Sequence, residues 1–254
     1  MDQDHEPIMS LNDRPPPLKL REAFAAVTKL IADPEDTKQV FVILQALRGR
    51  SDVRTLRRFA ATPTGIRILA EQRSLLAALL NRRRLAALPE GTVGHSYDRF
   101  MGAELLSADG LVDASEPERL YPVSSSAALF RDRLRDMHDL VHVVTGYGRD
   151  PLGELCVLAF TFAQTDYLGL ALICVMGAMK LDLGIPKRRV WAAIWEGFRA
   201  GRRGEWLPAV LWEDVLEQPL FTLRAELKIE PPRAYPALPS AAISPLSREQ
   251  VAAG

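Results

Sequence analysis

Residues Tyr167 to Met179 are thirteen consecutive amino acids without a charge. A run of that kind needs an apolar environment, yet it is shorter than the ~20 residues that cross a bilayer, and Asp166 stands directly before it. It predicts a buried central helix that the rest of the chain must cover. The rest of the chain is written in helical periods. Leu20, Phe24, Val27 and Leu30-Ile31 share one face. Asp33-Pro34-Glu35-Asp36 is a start signal for a second helix through Val40, Ile43, Leu44 and Leu47, stopped by Gly49. Ser51-Asp52 starts a third, Pro63-Thr64-Gly65 breaks the chain, and short helices follow to Ala87, with Arg82-Arg83-Arg84 as a solvated basic face. Leu88 to Gly94 is a loop, after which Ser96 caps a helix through Tyr97, Phe100 and Met101. His95 at that start reads as a polar neighbour, or else as part of a substrate pocket. Residues 107 to 124 are expected to loop.

Further along, Ser125-Ser126 starts a helix whose apolar side is Leu129, Phe130, Leu134, Met137, Leu140, Val141 and Val144. Lys187 to Ala200 predicts an amphipathic helix, with Trp191, Ile194, Trp195 and Phe198 at i, i+3, i+4, i+7 spacing. It reads as core-facing through these side chains with a solvated basic side, and its aromatic and basic groups would also suit an anionic membrane surface. Trp206, Leu211 and Trp212 are expected in the next helix, and Pro219 opens a last short one. No β-alternation, repeat, phosphate-cradling glycine loop or Ser-His-Asp arrangement is present. The expected fold is all-α, a single domain of about ten helices. It should span 18–230, with a flexible arm over 1–17 and a Pro/Ala-rich tail over 231–254.

Composition excludes several classes. Lys plus Arg and Asp plus Glu both number 32, so the chain lacks the positive excess of a general nucleic-acid binder. Cys156 and Cys174 lie in apolar runs and read as core residues, with neither a disulfide framework nor a zinc ribbon. The first residues include Asp2, Asp4 and Glu6, and neither a secretory signal nor a transit peptide is visible, which places the chain in the cytoplasm.

The chemistry concentrates at residues 136–166. His138 and His142, two of four histidines, stand four apart, which on a helix puts both rings on one face. Asp139 is adjacent. The helix must stop near Gly146 and Gly148, where Asp150 reads as the cap of a second helix and Pro151 as its first residue. Glu154 falls in that helix's first turn. This helix-turn-helix can gather two imidazoles and two carboxylates, a set that fits Zn, Fe or Mn better than Mg or Ca. The candidate metal ligands and catalytic residues are therefore His138, Asp139, His142 and Glu154.

His138-Asp139-x-x-His142, eleven residues and then Glu154 resembles the signature of the coenzyme Q (ubiquinone) biosynthesis protein 4 family. The segment Leu88-Pro89-Glu90-Gly91-Thr92-Val93-Gly94, with Tyr97 and Phe100-Met101, resembles the family's upstream pattern. Gly201-Arg202, Trp212-Glu213, Pro219-Leu220, Arg224 and Leu227 are similar to its C-terminal one. The likeness covers about residues 50 to 230. It implies metal-dependent replacement of the ring carboxylate of a polyprenylated 4-hydroxybenzoate, by decarboxylation coupled to hydroxylation at the same carbon. Zinc has no redox chemistry, so a dioxygen-consuming step would call for iron or manganese, or for the substrate as electron source. Arg135, Arg149 or Arg202 could pair with the substrate carboxylate. The alternative is a non-catalytic scaffold that holds a polyprenyl quinone precursor in the apolar 155 to 181 region and organises the other ubiquinone-biosynthesis enzymes. The resemblance further implies a homodimer in peripheral contact with a membrane; the acidic first residues make that the bacterial inner membrane, or else mark a chain already processed.

Overall fold

A computed structural model of the chain describes residues 17–32, 37–47, 49–103 and 125–236. Over these residues the apolar spacing resolves into helices and no strand, apart from an isolated bridge between Thr92 and Pro219. In chain order they are α1 (Leu20–Ala32), α2 (Thr37–Ala46), α3 (Gly49–Ala60), α4 (Pro63–Glu71), α5 (Leu75–Leu79), α6 (Arg82–Ala86) and α7 (Val93–Ala103). Then follow α8 (Ser125–Asp136), α9 (His138–Thr145), α10 (Pro151–Thr165), α11 (Leu168–Lys180) and α12 (Lys187–Arg203). A 3-10 turn (Leu207–Ala209), α13 (Trp212–Val215) and α14 (Leu220–Glu226) close the fold. The all-α expectation holds.

Several boundaries differ from the sequence reading, each for a local reason. Pro63 opens α4 rather than breaking the chain, because Thr62 precedes it and its hydroxyl accepts the Gly65 N–H at 2.9 Å. The helix at Ser96 begins earlier, at Val93, where the Thr92 hydroxyl accepts the His95 N–H at 3.3 Å. The helix begun at Ser125 is divided at Met137 into α8 and α9. Trp206 precedes the 3-10 turn outside any helix, and Trp212 starts α13 after it. The start signal at 33–36 and the loop expected over 107–124 lie outside the described residues.

Helix α10 is the centre of the packing, buried through Leu152, Leu155, Cys156, Val157, Ala159, Phe160 and Ala163. Helix α12 lies closest against it. The buried stripe of α12 is Val190, Ala193, Ile194, Gly197 and Gly201, made mostly of small residues. A Cβ on Gly197 would stand 2.6 Å from the Cys156 carbonyl oxygen, and one on Gly201 2.5 Å from that of Phe160. Only glycine lets the two backbones come that near. The stripe chosen is therefore not the aromatic one. Trp191 and Trp195 remain 38% and 59% exposed, which corrects the core-facing reading of those two residues.

Helix α11 covers another side of α10 and touches α1 and α2 on its far side. It is buried through Gly169, Leu170, Ile173, Cys174 and Ala178, while Leu168, Val175 and Met179 are exposed. The most apolar stretch of the chain is thus a peripheral helix with a bare face, and the central position belongs to α10. The small residues of α11 serve close approach: Gly169 lies against Leu44, and Gly177 against Leu155. Gln164 ties the end of α10 to that of α12. Its amide donates to the Gly201 and Glu205 carbonyls, and its oxygen accepts the Leu207 N–H at 2.8 Å. The folded unit also runs past residue 230, where Tyr235 is buried. No helix among the described residues is long and apolar enough to cross a membrane.

Candidate metal centre

The break at Met137 starts a new helix with His138 as its first residue, and residues Asp139 to Thr145 are all buried. Leu140, Val141 and Val144 carry α9 into the main core. Gly146 ends the helix in the left-handed region at φ 83°, its N–H bonded to the His142 carbonyl at 2.8 Å. Two further carbonyls of the last turn, those of Val143 and Val144, accept from the Arg224 guanidinium of α14, each at 2.9 Å. That cation sits at the negative end of the helix dipole. Asp150 caps α10 as expected, its Oδ1 accepting the Leu152 and Gly153 N–H groups at 3.1 and 3.0 Å. Pro151 is the first helical residue, and Glu154 comes in the first turn.

These two helices aim three side chains at one point. His142 Nδ1 donates to the Tyr147 carbonyl at 3.1 Å. A carbonyl accepts only, so the proton is on Nδ1 and the Nε2 lone pair faces the site. Nε2 stands 3.4 Å from Glu154 Oε2, and His138 Nε2 stands 3.6 Å from the same oxygen. The three donor atoms all lie within 4.8 Å of one another. The His142 side chain is fully buried, and its Nε2 has no hydrogen-bond partner. An orphaned buried polar atom costs about 1–3 kcal/mol. A lone pair in that position suits an electron-pair acceptor. The Phe100 ring stacks on His142 at 5.4 Å and shields this wall of the site.

Asp139 plays a different part from its neighbours. Its Oδ1 accepts from Arg149 at 2.8 Å and faces His138 Nδ1 at 3.4 Å, so it orients the His138 ring from behind. It is not in the group of converging donors. Arg149 also lies 3.9 Å from Glu154 Oε1 and so borders the site. The other two arginines have different partners. Arg135 is held by Asp132 and Asp136, each at 2.9 Å. Arg202 reaches the Ala163 carbonyl at 3.4 Å, which is about 13 Å along α10 from Glu154. His95, in the first turn of α7, is likewise not among the converging donors. Sequence reasoning missed the Tyr147 carbonyl, because a backbone acceptor leaves no trace in residue type. A groove of about 320 Å³ between α12 and residues 230–234, lined by Tyr147, Trp195, Arg199 and Arg203, contains none of the converging donors.

The charges act together. Burial pulls the His138 imidazole down, but its bond to Asp139 and the charges of Glu154 and Asp139 outweigh this, and its pKa is raised above the ordinary 6.5. Burial pushes both carboxylates up. For Asp139 the contact with His138 and the Arg149 charge prevail, and for Glu154 the two imidazoles and Arg149 do; both are lowered. With both rings neutral, three lone pairs face one another. This nitrogen-oxygen set suits a divalent ion of the Zn, Fe or Mn type, so the residues present fit the ion the motif implies.

An all-helical domain in which two imidazoles and a carboxylate from adjoining helices meet defines a class: helical proteins with a candidate divalent-metal centre. Residues 18–233 match the family described as coenzyme Q (ubiquinone) biosynthesis protein Coq4, and the chain belongs to that family. It is 34% identical over 176 residues to the mitochondrial ubiquinone biosynthesis protein COQ4 of Podospora anserina, covering 68% of this chain and 55% of the relative. It is 32% identical over 174 residues to the mitochondrial COQ4 homologue of Rattus norvegicus, covering 67% and 62%. The chain thus matches a little over half of the length of these relatives. In fold it is similar to the crystal structure of a protein assigned to ubiquinone biosynthesis from Nostoc punctiforme, with a TM-score of 0.63 and 23% identity over 83% of this chain and 98% of that one.

Proposed function

We propose that this family member replaces the ring carboxylate of a polyprenylated 4-hydroxybenzoate by oxygen at the site formed by His138, His142 and Glu154, with dioxygen as oxidant and the substrate ring as electron source. The carboxylate leaves as carbon dioxide, one oxygen atom enters at its carbon, the other leaves as water, and the ring ends at the quinone level. The observation that carries the reading is the His142 Nε2 atom: it is buried, has no partner, and is aimed at Glu154 and the second imidazole. His138, His142 and Glu154 would hold the ion, with Asp139 orienting His138. A bound divalent ion would supply Lewis-acid stabilisation of charge on the substrate's carboxylate or phenolate oxygens. Arg149 borders the site from the turn with its side chain 21% exposed, which supports a role in steering an anionic substrate. Phe100 and the buried face of α9 keep water from the inner wall.

The apolar part of the substrate would follow α10 away from the site. Leu158 follows Glu154 by one turn on the same face of α10 and packs against the cluster built by α1, α2 and α11. Val175 and Met179 of α11 are exposed. A polyprenyl tail laid along that path would reach a membrane on which the protein rests peripherally. The exposed Trp191 and Trp195, with Arg188 and Arg199 on the same helix, support docking at an anionic lipid surface. The named relatives above are mitochondrial, and the bacterial placement belongs to the sequence reading alone.

The test is turnover of a short-tail prenyl-hydroxybenzoic acid by the metal-loaded protein and by Glu154→Ala. Activity should disappear in the variant while helicity and lipid binding survive. Retained turnover would contradict a reaction at this site and leave the scaffold reading in possession.

A further inference from the structure

Tyr235 is 85 residues along the chain from Asp150, yet its hydroxyl donates to Asp150 Oδ2 and accepts the Gly148 N–H at 3.1 Å. Its ring meets that of Tyr147 edge-on at 5.4 Å. The segment that carries it is fixed to α12, where the Glu196 carboxylate accepts the Arg233 and Ala234 N–H groups at 2.9 and 2.7 Å. The turn it grips, residues 146–150, joins the two helices that carry the converging donors. One end of that turn supplies the Tyr147 carbonyl that sets the His142 ring and its tautomer. The other end supplies the Asp150 Oδ1 that caps the helix bearing Glu154. Asp150 therefore divides its oxygens: one organises the ligand helix, and the other is held by Tyr235.

Resting on the metal reading above, we propose that Tyr235 is a positioning residue for the metal centre, acting through the turn between its two ligand helices. Without the hydroxyl, Asp150 Oδ2 and the Gly148 N–H each lose the partner that places them. The His142 ring and the start of α10 can then drift independently. Groups that orient metal ligands from behind typically change affinity by about 10–100-fold when removed.

The experiment uses the full-length chain and Zn²⁺ and Co²⁺ as probes. Tyr235→Phe keeps the ring against Tyr147 and removes only the hydroxyl. Its Zn²⁺ dissociation constant, measured by chelator competition at neutral pH, should rise about tenfold or more, and the Co²⁺ ligand-field bands should shift. Far-UV circular dichroism should match the wild type. Tyr167→Phe is the structural control. It removes a comparable bond, from the Tyr167 hydroxyl to Asp52 Oδ1 at 3.0 Å, at the far end of α10, and should leave metal affinity and spectrum unchanged. Asp150→Ala should lose affinity at least as far as Tyr235→Phe, and combining the two should lose less than the sum of both, since only the Gly148 N–H bond to the hydroxyl is left for the second change to remove. An affinity for Tyr235→Phe within about twofold of wild type, a loss equal to that of the control, or additive losses in the double variant would overturn the proposal. Wild-type protein that binds neither ion sinks the metal reading and this one together. Wild-type binding of both ions with an unaffected Tyr235→Phe sinks this one alone.

Discussion

Two buried polar clusters lie on consecutive helices, and they are built on opposite principles. On α8, Arg133 is clamped by Glu213 in a two-pronged pair at 2.7 and 2.9 Å, with a third bond to the Val210 carbonyl at 2.8 Å. Opposite charges meet there, and the side chains are 1% and 8% exposed. On α9, His138 and His142 face Glu154, and what meets is lone pair against lone pair. The first cluster is neutralised in charge by its own members, with Arg133 Nε alone left without a hydrogen-bond partner. The second would be stabilised by a cation, and against the pull of burial the contact with Asp139 and the charge of Glu154 raise the His138 pKa by the same attraction. The difference teaches how to tell a structural buried ion pair from a site: the question is whether the facing atoms can satisfy each other.

The largest expected effect comes from breaking the self-sufficient cluster. Arg133→Ala should cost about 3–5 kcal/mol of stability by leaving Glu213 buried and unpaired. Denaturant unfolding measures it, and the metal affinity of the remaining folded protein should be unchanged. His142→Ala should do the reverse. Metal affinity should fall about a hundredfold or more, while apo stability drops by no more than ~1–2 kcal/mol. A large stability loss with unaltered affinity would place the two clusters in one category and dissolve the contrast.

The pH dependence is the next step down. His138 has a raised pKa, so below that value the incoming ion must displace a proton. Affinity should then weaken about tenfold per pH unit as pH falls, and be flat above it. For the apo protein the signs run both ways. The His138 contribution is complete below 6.5 and is lost as pH rises through its raised value. The Asp139 and Glu154 contributions are present above 3.8 and 4.5 and are lost as pH falls through their lowered values. The apo site should therefore be most favourable between the carboxylate range and about 6.5. Thermal melts across that range, with and without Zn²⁺, check both halves.

The smallest effect on folding should come from the bare aromatic face. Trp195→Ala is expected to alter stability by less than about 0.5 kcal/mol and to reduce partitioning onto anionic vesicles in a flotation assay. Unchanged partitioning would remove the membrane role from α12.

How much of this was legible in the residues follows from what each feature depends on. The all-helical class and the His138, His142 and Glu154 convergence depend on local spacing and on the Asp150-Pro151 start, and both were readable. The inward face of α12 depends on Gly197 and Gly201 admitting the α10 backbone. The aromatic stripe looked like the core because side-chain size was easier to read than the fit between two helices. The same reasoning made the uncharged run of α11 look central, although one face of it is bare. Tyr235, Arg224 and the Tyr147 carbonyl act across long separations or through backbone, where periodicity carries no signal. Asp139 was grouped with the ligands by adjacency, whereas here it points to Arg149 and His138 Nδ1.

The most direct test is X-ray absorption at the zinc edge of the loaded wild-type protein and of His142→Ala. Two imidazole donors per ion in the wild type, reduced to one in the variant, are predicted. An imidazole count that does not change on removing His142 would contradict the centre described above.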